Sequence, residues 1–195
     1  MSDFSVSKES QKELLKLARE AIAAYLQNQK VIDFSAKNNK ELSAHAAVFV
    51  TLTQSGALRG CIGTTEPLYP LYEAVIKMAL SAAFNDSRFY PLTAEELSKT
   101  KIEISVLSPM IKVKSADDII PDKHGVLIQK GNRSGLFLPQ VWKHFANKVG
   151  GNAAEDDRKT KFLNELCSQK AGLPSDSWKN KETDIYVFTV FSLEE

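Results

Sequence analysis

The sequence predicts a mixed α+β fold, and three observations carry that prediction. Amphipathic helices and strands follow one another without the regular spacing of βαβ units. Two pairs of short β-branched segments are joined by turn residues of the hairpin kind. No glycine-rich loop leads a strand into a helix, which disfavours a doubly wound nucleotide fold, since GCIGTTEP matches neither dinucleotide nor P-loop spacing.

Residues 7–27 place Leu14, Leu15, Ala18, Ile22, Tyr25 and Leu26 on one stripe, which predicts an amphipathic helix. Either Ser7 or Ser10 is suited to cap it, the latter with Glu13 as capping-box partner. Residues 31–42, rich in Asn, Lys and Ser, read as a connecting loop. Residues 45–53 and 57–62, separated by Gln54-Ser55-Gly56, read as a β-hairpin. A helix follows over 70–84, with Leu71, Val75, Met78, Ala79 and Ala82 on one face. Thr93 and Glu96 form a capping box for a short helix. Residues 101–113 read as one strand, with Ile102, Ile104 and Val106 on one face and Glu103 and Ser105 on the other. A helical turn at 116–120 leads to a second hairpin, 125–130 with 135–138, joined by residues 131–134. Helices are expected over 141–148 and 153–170, the second closed by Gly172 and Pro174. Residues 185–191 read as the last strand.

Lys+Arg 25 against Asp+Glu 24 gives a net charge of +1, which supplies no general attraction to nucleic acid or an anionic membrane. The opening stretch, MSDFSVSKESQKELLKLARE, lacks the apolar core of a signal peptide, and no apolar run approaches the roughly 20 residues that cross a bilayer. A cytoplasmic protein without a membrane partner is expected. Cys61 and Cys167 have neither CxxC nor zinc spacing, so reduced thiols, no metal and no cofactor are expected.

LRGCIG, residues 58–63, holds the densest chemistry. Strict alternation puts Leu58 and Ile62 toward the core, with Gly60, and sets Arg59 and Cys61 side by side on the other face with Gly63. A guanidinium beside a thiol favours the thiolate, so Cys61 is a candidate nucleophile with His45, at the start of the partner strand, as candidate base. The blander reading makes Cys61 a small packed hydrophobe and the glycines a bulge. A mid-strand carboxylate such as Glu103 commonly points to solvent; if its face is covered it needs a cation, and Arg59 or Arg88 is available. Arg88 is first expected to satisfy carbonyls at the end of the preceding helix. His124 precedes a glycine in a turn. The basic residues near 143–161 are interleaved with Glu155, Asp156 and Asp157, which marks a solvated face.

LRGCIG, together with HAAVFVTL (45–52), NDSRFYPLTAEEL (85–97), IEISVLSPM (102–110), HGVLIQKGNRSGLFLPQV (124–141) and FLNELCSQKAGL (162–173) with Trp178, resembles the blocks of the AMMECR family in order. That family is named for the AMME syndrome chromosomal region, and its prokaryotic members are called component A of the AmmeMemoRadiSam system. The resemblance covers nearly the whole chain. It implies a single domain over 5–193 of two intertwined parts, a larger mixed sheet flanked by helices and a smaller, mainly β part. It implies further that LRGCIG lines a cleft, so Arg59, Gly60, Cys61 and Gly63 carry over as site residues. Asp86, Arg88, Glu103, Ser105 and His124 match family blocks and join the ligand-binding candidates. The family's company, a Memo-type protein and a radical SAM enzyme, implies a shared modification pathway.

Three functions are therefore carried forward. The preferred one is a binding or accessory module that uses Arg59 and a glycine-opened backbone to hold an anionic small molecule or a protein partner. The second is an enzyme using Cys61. The third, a nucleic-acid adaptor, is disfavoured by the charge balance and the lack of an aromatic and basic stacking array.

Overall fold

The computed structural model describes residues 6–36, 39–146 and 155–195. The fold is α+β, with two antiparallel four-stranded sheets and associated helices, and the chain divides into two compact units. The larger is Met1–Ser108 with Phe191–Glu195, and the second is Pro109–Val190. Among the described residues no helix is long and apolar enough to cross a membrane.

In the first unit, α1 (Lys8–Asn28) buries Leu14, Ala18 and Ile22. Ser7 is its cap, accepting the Ser10 N–H at 3.3 Å, while its hydroxyl donates to Glu41 at 2.7 Å. Ser10, the other candidate cap, lies inside the helix. A one-turn helix, α2 (Lys40–Ser43), occupies the end of the stretch expected to be loop, started by the Asn39 side chain. The first hairpin, β1 (Ala47–Gln54) and β2 (Ala57–Gly63), turns through Ser55 and Gly56 at φ 51° and 80°, the left-handed pair that matches strand twist in a tight hairpin. The sheet order is β2, β1, β3 (Thr100–Leu107) and β8 (Val190–Glu194).

Helix α3 (Leu71–Phe84) lies over β1 and β2, with α1 beside it over β3 (Thr100–Leu107). The core between them is built from Val48, Val50, Leu52, Ile102, Ile104 and Val106 of the sheet and Ala74, Val75, Ala79 and Ala82 of α3. The small residues on α3 let the helix approach the sheet closely, and each larger aliphatic side chain buried there stabilises the fold by about 1.5–3 kcal/mol. A short helix, α4 (Ala94–Leu97), starts at the Thr93/Glu96 capping box expected from the sequence.

Two expected strands are each divided between sheets. Residues 101–113 form β3 in the first sheet and, after Ser108-Pro109-Met110, β4 (Ile111–Val113) in the second. Pro109 cannot donate to a ladder and restricts the residue before it, which ends pairing there. Residues 185–191 likewise divide at Thr189 into β7 (Asp184–Phe188) of the second sheet and β8 (Val190–Glu194), which returns to pair beside β3.

The second sheet runs β4-β7-β5-β6, with β5 (Gly125–Lys130) and β6 (Arg133–Phe137) joined by Gly131-Asn132 alone, a tighter turn than the four residues expected. Its core centres on Trp142 of α5 (Trp142–Ala146), stacked on Phe162 of α6 (Glu155–Glu165) with centroids 3.6 Å apart. The expected helix limits at Lys148 and Ala153 lie outside the described residues.

The β1–β2 register breaks between Leu52 and Thr53: Leu52 faces Gly60, and Thr53 faces Leu58. Arg59 is the extra residue of a bulge, which resets the alternation. Leu58, expected in the core, is therefore turned to the opposite face and is 44% exposed. Gly60 keeps the core side, where a Cβ would stand 2.2 Å from the Ala82 carbonyl oxygen of α3. Gly60→Ala must push β2 from α3, and is expected to lower unfolding free energy by about 1–3 kcal/mol in urea titration; an unchanged midpoint would show that the close approach does not constrain the strand.

Candidate functional site

The site is assembled on β2, an edge strand, by two carboxylate and guanidinium pairs. Asp86, just beyond the end of α3, is nearly completely buried, with a side chain 4% exposed. It accepts the Cys61 backbone N–H at 2.8 Å, the Arg88 N–H at 3.2 Å, and Arg88 Nε and Nη2 at 2.9 and 2.7 Å. Arg88 Nη2 also donates to the Cys61 carbonyl at 3.1 Å. The outward N–H and C=O of Cys61 are thus satisfied by Asp86 and Arg88 in place of a neighbouring strand. Arg88 does not satisfy the α3 carbonyls as expected, because its fork is directed to the strand edge. Its guanidinium, outweighing the opposing effect of burial, holds the Asp86 carboxyl far below the usual range, and Asp86 in turn raises Arg88 above its ordinary value.

The second pair joins the bulge to α4. Arg59 Nε and Nη2 reach the two oxygens of Glu96 at 2.9 and 3.0 Å, a bidentate geometry. Glu96 simultaneously completes its capping box by accepting the Thr93 N–H at 2.9 Å. Arg59 is the first cause, and the Thr93 N–H the second, of a Glu96 carboxyl pulled down to about 2. Both guanidinium carbons lie near the Phe89 ring, at 5.9 Å for Arg59 and 5.5 Å for Arg88.

On the face of the sheet away from α3, register lines up Cys61, Thr51 and Glu103 across β2, β1 and β3, with Ser105 two residues along from Glu103. Thr51 Oγ1 donates to Cys61 Sγ at 3.4 Å, and Ser105 Oγ to Glu103 Oε1 at 3.4 Å. Neither arginine pairs with Glu103, because Arg59 is committed to Glu96 and Arg88 to Asp86. Gly63 faces Phe49, whose ring occupies the space a Cβ would need.

His45 is not a base for Cys61. Thr51 is the residue opposite Cys61, and His45 lies six positions earlier along extended backbone, about 20 Å away at 3.3 Å per residue. Its Nδ1 is 3.2 Å from the Pro67 carbonyl instead. His124 belongs to the second unit, where it is buried: its Nδ1 accepts the Ile120 N–H at 3.1 Å and its carbonyl accepts Trp142 Nε1 at 2.7 Å. Burial pushes its pKa down. These bonds give His124 a structural task in its own unit. Among the described residues, no three His, Cys, Asp or Glu side chains are grouped to hold a metal ion.

The sequence brought Arg59, Gly60, Cys61, Asp86 and Arg88 forward, and the structure gathers all five. It also adds Glu96, Thr51 and Phe89. Glu96 carried only a local capping signal, and its long-range partner leaves no trace in spacing.

A profile of the AMMECR1 family matches residues 15–193. Protein TK0174 of Thermococcus kodakarensis is 41% identical over 192 residues, covering 93% of this chain and 88% of that protein. A protein of Aquifex aeolicus is 40% identical over 185 residues, covering 91% and 89%. The crystal structure of the uncharacterized protein PH0010 from Pyrococcus horikoshii matches with a TM-score of 0.84 and 38% identity, covering 98% of this chain and 94% of that one.

Both site carboxylates have folded-state pKa values below their ordinary ones, so their stabilisation is complete above about 4.5 and is lost as pH falls toward the folded values. Acid unfolding should therefore steepen between about pH 4.5 and 2, and Glu96→Gln should flatten part of that limb. At neutral pH, Arg59→Ala removes two charge-assisted bonds and should lower stability by about 1.5–3 kcal/mol in chemical denaturation. Equal stability of Arg59→Ala and wild type would return the arginine to a purely ligand-facing role.

Proposed function

Because the chain belongs to the AMMECR1 family and the guanidinium forks of its LRGCIG site are already held by carboxylates, we propose that it is a binding module that docks a protein partner over this site. The observation that carries the reading is the exposure of Leu58 and Tyr90, 44% and 91%. Leu58 adjoins Arg59 in the chain and Tyr90 adjoins Phe89, whose ring lies near both guanidiniums. Tyrosine and arginine are enriched at interface centres, and an exposed leucine adds apolar area that a partner can cover. Rigidity matters, because a contact surface already held in place loses little entropy on docking.

An anionic small molecule gripped by Arg59 fits less well. Nε and Nη2 are occupied by Glu96, and the remaining Nη1 is buried without a hydrogen-bond partner among the described residues. A ligand would have to displace Glu96 before gaining a bidentate hold. The Cys61 enzyme reading lacks its proposed base, since His45 is about 20 Å along the strand. Paired arginines and a net charge of +1 likewise favour a protein partner over nucleic acid.

The partners to test first are the Memo-type and radical SAM proteins of the same organism, in a cytoplasmic modification pathway. Each purified protein is titrated against the chain by biolayer interferometry. A complex with one of them is expected, and the Leu58→Ser, Tyr90→Ala double variant should weaken it by about tenfold or more with thermal unfolding unchanged. No complex with either protein, or a complex that the double variant leaves intact, overturns the proposal.

A further inference from the structure

The second unit contains a cavity of about 410 Å³ beside the start of the chain segment that leads into β7. Its floor is apolar: Val113 of β4 and Ile185 of β7 face each other across the ladder and both line it. Trp178 forms one side. Its Nε1 donates to Asn164 Oδ1 at 2.8 Å, which fixes the plane of the indole, and Lys179 Nζ stands 5.1 Å from the ring centroid. Lys114, Lys179 and Lys181 bring three cations to the rim.

The local acids offset them only in part: Asp117 alone among the cavity's lining residues is acidic, and accepting a hydroxyl does not remove its charge. Asp184 is paired with Lys112 at 2.7 Å and Glu182 with Lys130 at 3.5 Å. Asp117, a carboxylate on the wall, accepts the Ser115 hydroxyl at 3.1 Å. No ion pair of Lys114, Lys179 or Lys181 occurs among the described residues.

Thr183 also lines the cavity and is only 8% exposed. Its backbone N–H donates to the Asn180 carbonyl at 2.9 Å, which holds this part of the wall in place, and its Oγ1 is closed to solvent.

We propose that this cavity binds a small molecule combining a flat ring with an anionic group, of the nucleoside monophosphate class. The ring stacks along Trp178 and over Val113, and the phosphate meets the lysines at the rim. Aromatic stacking and cationic recognition of phosphate are the usual elements of such binding. The cavity lies wholly within the second unit, so this inference stands apart from the partner surface at LRGCIG.

The test is a titration of the ¹⁵N-labelled protein with AMP, GMP and UMP, followed by the two tryptophan indole resonances. Trp142 is fully buried and serves as an internal reference. At least one nucleotide is expected to shift the Trp178 signal and the amides of residues 113–117 and 179–183, with inorganic phosphate binding at least tenfold more weakly. Lys179→Ala with Lys181→Ala, both at exposed positions, should weaken binding at least tenfold while the protein remains folded. No shift with any of the three nucleotides, binding of phosphate as tight as nucleotide, or undiminished binding by the lysine variant overturns the proposal.

Discussion

The LRGCIG site depends on one buried carboxylate. Asp86 accepts four N–H groups from two residues and thereby fixes the backbone of Cys61 against the turn that follows α3. Without it, the middle of β2 would present an unpaired N–H on a sheet edge, and Arg88 would lose the anion that directs its fork to the Cys61 carbonyl. An open edge strand is a template for unwanted pairing. Asp86 and Arg88 close this edge with side chains, as a neighbouring strand would with its backbone. The same closure argues against a partner that binds by adding a strand at Cys61, and directs attention to side chains around the edge.

The second pair extends this arrangement. Arg59 joins the bulge of β2 to the first turn of α4, while Asp86 and Arg88 join the next residues of β2 to the end of α3, with Phe89 near both guanidiniums. Ion pairs withdrawn from water contribute less net stability than their short distances imply, because each charge gives up hydration. Their larger effect is geometric: removing one member leaves an uncompensated charge, so the arrangement tolerates few alternatives. Gly60 adds a steric constraint by bringing the strand against the α3 backbone. Three of the six motif positions thus act on the position of the strand, Arg59 through its side chain, Gly60 through the lack of one, and position 61 through its backbone, which is an architectural reason for the arginine and the glycine but not for the cysteine.

Much of the fold was legible because periodicity reports burial. The α1 and α3 stripes, the first hairpin and the Thr93 capping box are local patterns, and each was found where the pattern placed it. The passages of the chain between sheets were less legible. Pro109 marks a break within 101–113 but does not say that the next strand joins another sheet, and at Thr189 neither proline nor glycine marks the change. The site was legible in membership but not in pairing. Asp86 and Arg88 stood out as polar residues after a helix, yet their common target lies 25 and 27 residues back in the chain. Glu96 was explained completely by its cap, which hid its bond to Arg59.

The bulge also changes what the neighbours of Cys61 mean. On strict alternation, Arg59 stands beside the thiol and Leu58 is buried, a combination that favours chemistry at sulfur. One inserted residue changes both readings. Arg59, the bulge residue, directs its charge to Glu96, while the residue directly across from Cys61 is Thr51, a hydroxyl donor to its sulfur. Leu58 moves to the outer face, where an aliphatic side chain gains nothing from water. A single register shift therefore commits Arg59 to Glu96 and adds an apolar contact at the strand edge, while the guanidinium that approaches Cys61 is that of Arg88. This physical exchange moves the proposed function from nucleophilic catalysis toward recognition of a protein surface.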